Sequence, residues 1–470
     1  MRKTKIIATL GPATFNKSKI KKLILAGVNV FRINMSHEIK SILLKNIVHL
    51  IREESKKNNH SVAILFDLCG PKIRVGRFHG KKSLSIAKGK KYSLGHKRCN
   101  IPLNIPLKFS SQINTGHIKI NDGEFSFEIL SCKNNRISVL AENSGSIITG
   151  KGINFPGVSL DLPPVTEKDV KDIELAIKLG IDWIAMSFVR SAEDCNMIQD
   201  VLESHGSKIP VIAKIEKPEA IKDLNKIIMK FDGILVARGD LGVEMSLHEL
   251  PILQKKIVNE CLKRQKPVII ATQMMESMIK NSTPTRAEVN DIANAIYDGA
   301  DAVMLSGETA VGKFPIDSVQ MMADIANSVE RDIDLKNFNR YIGKDATFKN
   351  NHRSSICHAA MNLADDLSLD TIVIMTESGK MAMQMAQYRP QARIFALCSQ
   401  KRVLQFLSLI WGIHSELIDS FIDTDDMFDF SSKLLMERGY LKEGEKYIIT
   451  AGAPIGVTGS TNMLKIHKAK

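Results

Sequence analysis

The sequence predicts an α/β protein in which a (β/α)8 TIM barrel is interrupted by a small β-barrel domain and followed by an open α/β domain. Three observations carry this. A unit made of an apolar strand, a polar residue at the strand's C-terminal end and an amphipathic helix recurs through the first 70 residues and again after residue 156. Between Gly70 and Pro156 the helical period gives way to short alternating runs such as HIKINDG and EFSFEIL, punctuated by Gly, Asn and Asp as hairpins are. At 470 residues and 44% hydrophobic, the chain has enough apolar material for two or three domains. The expected division is 1–70 and 157–345 for the barrel, 71–156 for the insert and 346–470 for the C-terminal domain.

In order, TKIIATL at 4–10 reads as the first strand, stopped by Gly11 and Pro12, with a helix over 17–25. Strand 28–33 delivers Arg32, Asn34, Ser36 and His37 at its end, and a helix follows over 39–55. Strand 62–66 ends in Asp67. After the insert, a helix over 167–179 leads to strand 182–187 with Ser187 at its end. Strands 210–215 and 233–237 follow, then PVIIATQMMESM with Thr272 and GADAVMLSGETA with Ser306 and Glu308; Ser187, Ser306 and Glu308 read as barrel-end scaffolding. That gives eight strands, three before the insert and five after it. Beyond a polar linker, DIDLKNFNRYIGKDATFKN, come a helix at 352–366, strands TIVIMT, RIFALC and KYIITAG, and a glycine-rich loop.

The stretch 209–240 concentrates the chemistry. Its two apolar runs and intervening helical pattern make a parallel βαβ unit, and both strands end in charge: Lys214 and Glu216 on the first, Arg238, Gly239 and Asp240 on the second. In a barrel that end is the active-site face. Two carboxylates suit Mg²⁺ or Mn²⁺ with positions left open for substrate oxygens, and a neighbouring lysine neutralises developing charge, so phosphoryl transfer or enolate handling fits. The same residues would also serve as a plain surface salt bridge. A carboxylate at an exposed barrel end supports little packing, so loss of Glu216 or Asp240 is expected to lower turnover far more than stability.

Composition narrows the classes. The net charge is +14, but the lysines are dispersed and only 6% of residues are aromatic, which favours anionic small substrates over nucleic acid. Seven cysteines without a CxxC pair read as reduced thiols of a cytoplasmic protein. The apolar run after the basic N-terminus is cut at Gly11 and Pro12, and no stretch is long enough to span a bilayer, so neither export nor a membrane is expected.

The blocks TKIIATLGPAT, VNVFRINMSH, FDLCGPKIR, KGINFPGVSLDLP, IAKIEKPEAI, ILVARGDLGVE, ATQMMESMIKNSTPTRAEVNDIANAI and DAVMLSGETAVGKFP stand in this order along the chain. In these motifs the whole chain resembles pyruvate kinase of the bacterial type. The resemblance implies transfer of the phosphoryl group of phosphoenolpyruvate to ADP, giving pyruvate and ATP. It also implies an inserted domain acting as a lid, a C-terminal effector domain and a homotetramer. Lys214 would stabilise the phosphoryl group in flight, Glu216 and Asp240 would hold Mg²⁺ (or Mn²⁺), and Arg32 would grip the phosphate. The N–H groups of Gly239 and Asp240 would receive the substrate carboxylate, with Thr272 completing that pocket and the proton path. Arg74, Lys151, His37 and Asn34 would face the nucleotide, although Glu38 follows His37 where the family has Gly, and Met35 precedes Ser36 where it has Phe. A metal-dependent pyruvate-enolate lyase or aldolase on the same barrel is the alternative.

Two departures concern ions and regulation. The family's potassium site uses the equivalents of Asn34, Ser36, Asp67 and the next residue, with a Glu after Gly-Pro. Here Leu68 follows Asp67, and Lys72 stands for that Glu. The pattern resembles the potassium-independent branch, in which a tethered ammonium replaces the ion, so K⁺ is expected not to be required. In the C-terminal domain Thr376, Ser378, Gly379 and Lys380 resemble a phosphate-binding effector loop, together with AGAPIGVTGSTN. Lys380 and Met381 replace the Arg-Ser of enzymes activated by fructose 1,6-bisphosphate, so a sugar monophosphate, AMP or no activator is expected.

Overall fold

Eight parallel strands close into a barrel in chain order: Lys5–Leu10, Val30–Asn34, Ala63–Asp67, Trp183–Met186, Val211–Ile215, Gly233–Ala237, Val268–Ala271 and Ala302–Leu305. The computed structural model describes residues 1–78, 80, 82–96, 99–107, 115–133, 136–158, 160–333, 352–418, 423–452 and 461–470. Each barrel strand is apolar on both faces because one face fills the interior and the other packs under helices. Ile7, Leu65, Trp183, Ile212, Leu235 and Met304 belong to the inner cluster, whereas Ile6, Phe66, Ile184 and Val236 belong to the outer one. Alternation along the strand decides which side chain goes where.

The helices begin where short polar side chains cap them. Asn16 accepts the Lys19 N–H at the start of Lys17–Leu25, and Thr166 and Thr285 form capping boxes with Asp169 and Glu288. The helical pattern between the fifth and sixth strands resolves into two pieces, Pro218–Lys222 and Leu224–Lys230, which meet at Asp223. A bare backbone is required at Gly11, where a Cβ would lie 2.4 Å from the Ala310 carbonyl oxygen.

The insert leaves after the third strand. Among the described residues its strands pair as a six-stranded sheet and a two-stranded one around a shared apolar core, and no closed ladder like that of the large barrel is formed. The outgoing and returning segments pair at Arg74 and Gly152, so both ends of the insert leave the barrel at one place. The C-terminal domain carries a five-stranded sheet in the spatial order Ile413–Leu417, Arg393–Cys398, Thr371–Met375, Lys446–Gly452, Thr461–Lys468. Two of these strands are absent from the sequence reading. IHSEL is a half-polar edge strand, and TNMLKIHK pairs antiparallel to Lys446–Gly452 on the other edge. The polar linker and the glycine-rich loop at 453–460 lie essentially outside the described residues. No helix among the described residues is long and apolar enough to cross a membrane.

The C-terminal domain closes the barrel floor. Leu409 joins the inner barrel cluster, and Phe406 stacks on Trp183 with centroids 4.9 Å apart. The opposite mouth is thereby left as the open end.

Candidate active site

Parallel strands deliver their last side chains side by side, and at the mouth this assembles a charged and polar network across the first five strands. Asn34 of the second strand lies opposite Asp67 of the third, and Ala185 of the fourth lies opposite Asp67 from the other side. Arg32 donates to the Asp67 carboxylate from Nε at 2.7 Å, its terminal nitrogen lies 2.6 Å from the same oxygen, and it donates to Thr9 at 2.9 Å. The Lys214 ammonium reaches Asp67 at 3.1 Å and Glu216 at 2.8 Å and donates to Ser187 Oγ at 2.8 Å. All of these groups are buried.

Burial alone would strip the charge from this network. It lowers a lysine, but Asp67 and Glu216 outweigh it and hold the Lys214 ammonium above its ordinary value. It raises a carboxyl, but Lys214 and Arg32 overcome it and keep Asp67 below the ordinary range. Glu216 is pushed up by burial and by the neighbouring Asp240, against the pull of Lys214. A permanently charged lysine between two carboxylates is thus built into the floor of the mouth.

Glu216 is only 1% exposed, and its second oxygen accepts the Phe188 N–H at 2.8 Å. The expectation that both candidate ligands are exposed therefore fails for Glu216, whose carboxylate is enclosed between the Lys214 ammonium and the backbone of Phe188, held at φ +57°. Asp240 is the accessible one. It sits in the first turn of helix Arg238–Glu244, and Lys72 approaches its carboxylate at 3.3 Å. Lys72 points into the site and passes over the Phe188 ring at 5.7 Å, so its charge is not released to solvent.

The chain leaves the seventh strand in a strained turn. Thr272 and Gln273 have φ of +68° and +53°, a conformation that non-glycine residues adopt at a cost. It aims Thr272 Oγ1 at the Gly239 N–H, which donates to it at 2.7 Å, while that hydroxyl donates to the Ala271 carbonyl at 2.6 Å. The Gly239 donor expected to be free for a substrate is therefore already paired with the side chain expected to work beside it. Arg238 braces the turn, bonding Asp291 at 2.7 Å and the Thr272 carbonyl at 2.9 Å.

The other expected residues are placed more loosely. Asn34 Oδ1 accepts the Ser36 N–H at 3.0 Å, the Leu68 carbonyl accepts from Ser187 Oγ at 2.7 Å, and His37 is exposed. Arg74 donates to the Gly150 carbonyl at 3.0 Å, and the Lys151 carbonyl accepts from Val75, so both lie where the two ends of the insert pair. Glu308 accepts the N–H groups of Met275 and Ser306 and acts as scaffold. Far from the mouth, Thr376 Oγ1 accepts the Gly379 N–H at 3.0 Å where helix Lys380–Gln387 begins, and Met381 is buried in the core there. The sequence reading gave Asp67 only an ion-site role and missed Thr9 and Phe188. An Asp closing an otherwise apolar strand beside the strand that carries Arg32 was the available signal.

Glu216 and Asp240 suit a hard divalent cation. Each carboxylate already faces an ammonium, Lys214 or Lys72, and so sits where positive charge is stabilised. No cluster of three or more His, Cys, Asp or Glu able to hold a metal occurs among the described residues. Two carboxylates with open positions are the donor set Mg²⁺ accepts, since it keeps water and substrate oxygens.

Residues 1–319 match the family described as "Pyruvate kinase, barrel domain" and residues 354–467 match "Pyruvate kinase, alpha/beta domain". A pyruvate kinase of Geobacillus stearothermophilus is 39% identical over 99% of this chain and 80% of its own length. One of Clostridium acetobutylicum is 38% identical over 99% of each chain. The crystal structure of a pyruvate kinase from Cryptosporidium parvum superposes with a TM-score of 0.92 at 31% identity, covering 100% of this chain and 96% of that one.

Proposed function

This chain belongs to the pyruvate kinase family, and on that premise we propose that it transfers the phosphoryl group of phosphoenolpyruvate to ADP, giving pyruvate and ATP. The observation that carries the reading is the buried Lys214 ammonium held between the Asp67 and Glu216 carboxylates beside the Asp240 turn. A phosphoryl group between donor and acceptor spreads negative charge over its oxygens, and a preorganised ammonium in a water-poor site stabilises that charge without reorganising. Arg32, fixed by Asp67 and Thr9, presents its remaining fork to the phosphate.

Glu216 and Asp240 would hold Mg²⁺, which when bound supplies charge neutralisation to phosphate and carboxylate oxygens. The Gly239 and Asp240 N–H groups and Thr272 form the carboxylate end of the pocket, and Thr272 Oγ1 exchanges its Gly239 partner for the substrate when the site fills. Thr272 is also placed to pass a proton to the enolate. Arg74 and Lys151 at the hinge, with Asn34 and His37, accept the nucleotide as residues 71–156 seat over the mouth. Lys72 stands in for potassium: its ammonium lies within the site, 3.3 Å from Asp240, so the charge a monovalent ion would bring is already tethered. The loop at Thr376, Ser378, Gly379 and Lys380 is a phosphate cradle for a sugar monophosphate or AMP, and the assembly is a homotetramer in the cytoplasm.

The deciding experiment is pyruvate release from phosphoenolpyruvate and ADP by the purified, Mg²⁺-supplied protein. Release that depends on ADP is expected. Its absence overturns the assignment, and release without ADP means that the phosphoryl group passes to water and not to the nucleotide.

A further inference from the structure

Among the described residues, two adjacent residues of the inserted sheet donate hydrogen bonds to the helix that carries Asp240. Lys119 and Asn154 face each other across neighbouring strands of that sheet. Lys119 Nζ donates to the Val243 carbonyl at 2.9 Å, and Asn154 Nδ2 donates to Glu244 Oε1 at 2.7 Å. Val243 and Glu244 close helix Arg238–Glu244, where backbone carbonyls lack partners and attract cations.

Glu244 has a second partner. The same Oε1 accepts from Lys217 Nζ at 2.5 Å, and the carboxylate is 1% exposed. Lys217 directly follows Glu216, and Glu244 lies one helical turn after Asp240. One buried oxygen therefore joins the loop that bears the first candidate metal ligand, the helix that bears the second, and the returning strand of the insert. Such a carboxylate tolerates burial only while its donors stay in place, because an unpaired buried charge is costly. Lys217 also passes 6.0 Å from the Phe188 ring, whose own N–H holds Glu216, so the loop is fixed from both sides.

We propose that Lys217 and Glu244 are positioning residues forming a latch that makes seating of the inserted domain and spacing of Glu216 and Asp240 a single event. Neither touches the reacting atoms. The latch works through Asn154 on one side and through the two ligand-bearing segments on the other, so occupancy of the metal site and closure of the insert stabilise each other reciprocally. The inference rests on the reading of Glu216 and Asp240 as metal ligands.

Hydrogen exchange of the full chain tests it, with Mn²⁺ as probe. In wild type, saturating Mn²⁺ should slow exchange of the amides at 117–120 and 153–154 by about tenfold, the usual scale of such coupling. In Lys217→Met, and separately in Glu244→Gln, these amides should exchange faster without metal, Mn²⁺ should bind more weakly, and its protective effect should vanish, while Lys217→Arg restores all three. Mn²⁺ protection unchanged in both variants overturns the latch, as does faster exchange with wild-type Mn²⁺ affinity. Mn²⁺ that binds Glu216→Gln as tightly as wild type overturns the metal reading and the latch with it, whereas tight, Glu216-dependent binding without protection overturns the latch alone.

Discussion

Two buried lysines at opposite ends of the barrel meet opposite electrostatic fates. Lys214, at the mouth, sits between Asp67 and Glu216, and its ammonium is held above the ordinary lysine value despite burial. Lys5, at the floor, has no ion pair with a carboxylate among the described residues. Its Nζ donates to the Ile413 carbonyl at 2.6 Å, and burial together with the nearby Arg2 lowers its pKa to about 7. Burial is common to both, so neighbouring carboxylates decide which lysine keeps its proton. The mouth holds charge for chemistry. The floor fastens two domains through backbone carbonyls and packed rings, with Lys3 bonding the carbonyls of Pro390 and Gln391 and Phe406 stacked under Trp183.

The comparison sharpens first at the two candidate metal ligands. Glu216→Ala should lower turnover by about 10³-fold and also destabilise the fold by about 3 kcal/mol, because it leaves Lys214 half-paired in the interior and the Phe188 N–H without its acceptor. Asp240→Asn should reduce turnover to a similar extent while costing under about 1 kcal/mol, as its carboxylate is partly exposed. Steady-state assays beside denaturant melts separate the two. Equal stability losses would show that burial does not divide them.

At the rim, Lys72→Glu exchanges a fixed ammonium for a carboxylate, a change of two charges in a small site. Wild-type activity with Mg²⁺ should persist in buffer free of Na⁺ and K⁺, whereas the variant should need K⁺ for most of its turnover. A wild-type enzyme silent until K⁺ is added contradicts the role given to Lys72.

The floor responds to pH in the smallest of these effects. Lys5 has a folded pKa of about 7 against 10.5 for the ordinary side chain, so between those values the unfolded chain binds the extra proton. Its full penalty is present below about pH 7 and is relieved as the pH climbs toward 10.5. The melting temperature of wild type should therefore gain on that of Lys5→Met between pH 7 and pH 9. Parallel curves would mean that Lys5 stays charged in the folded protein.

Much of this architecture is legible in the sequence because barrel strands alternate with capped helices. Helices 17–25 and 167–179 fall at the expected residues, since Asn16, Thr166 and Gly180 mark their ends locally. The strands IHSEL and TNMLKIHK escape notice because edge strands owe their form to a neighbour rather than to an apolar run of their own. Lys214, Glu216 and Asp240 announce themselves as charges closing apolar strands. The burial of Glu216 does not, because Phe188 covers it only through a backbone turn of positive φ. Nor does the pairing of Lys217 with Glu244, which are 27 residues apart in the chain and meet only when the fifth and sixth strands lie side by side.

Comparing Lys214→Met with Lys5→Met tests the central claim most directly. Pyruvate release from phosphoenolpyruvate and ADP should fall by about 10³-fold in Lys214→Met, with Mn²⁺ bound at least as tightly as by wild type, because a preorganised cation has been removed and not a metal ligand. Lys5→Met should turn over at close to the wild-type rate. Near-normal turnover in Lys214→Met, or an equal loss in both variants, would contradict the account.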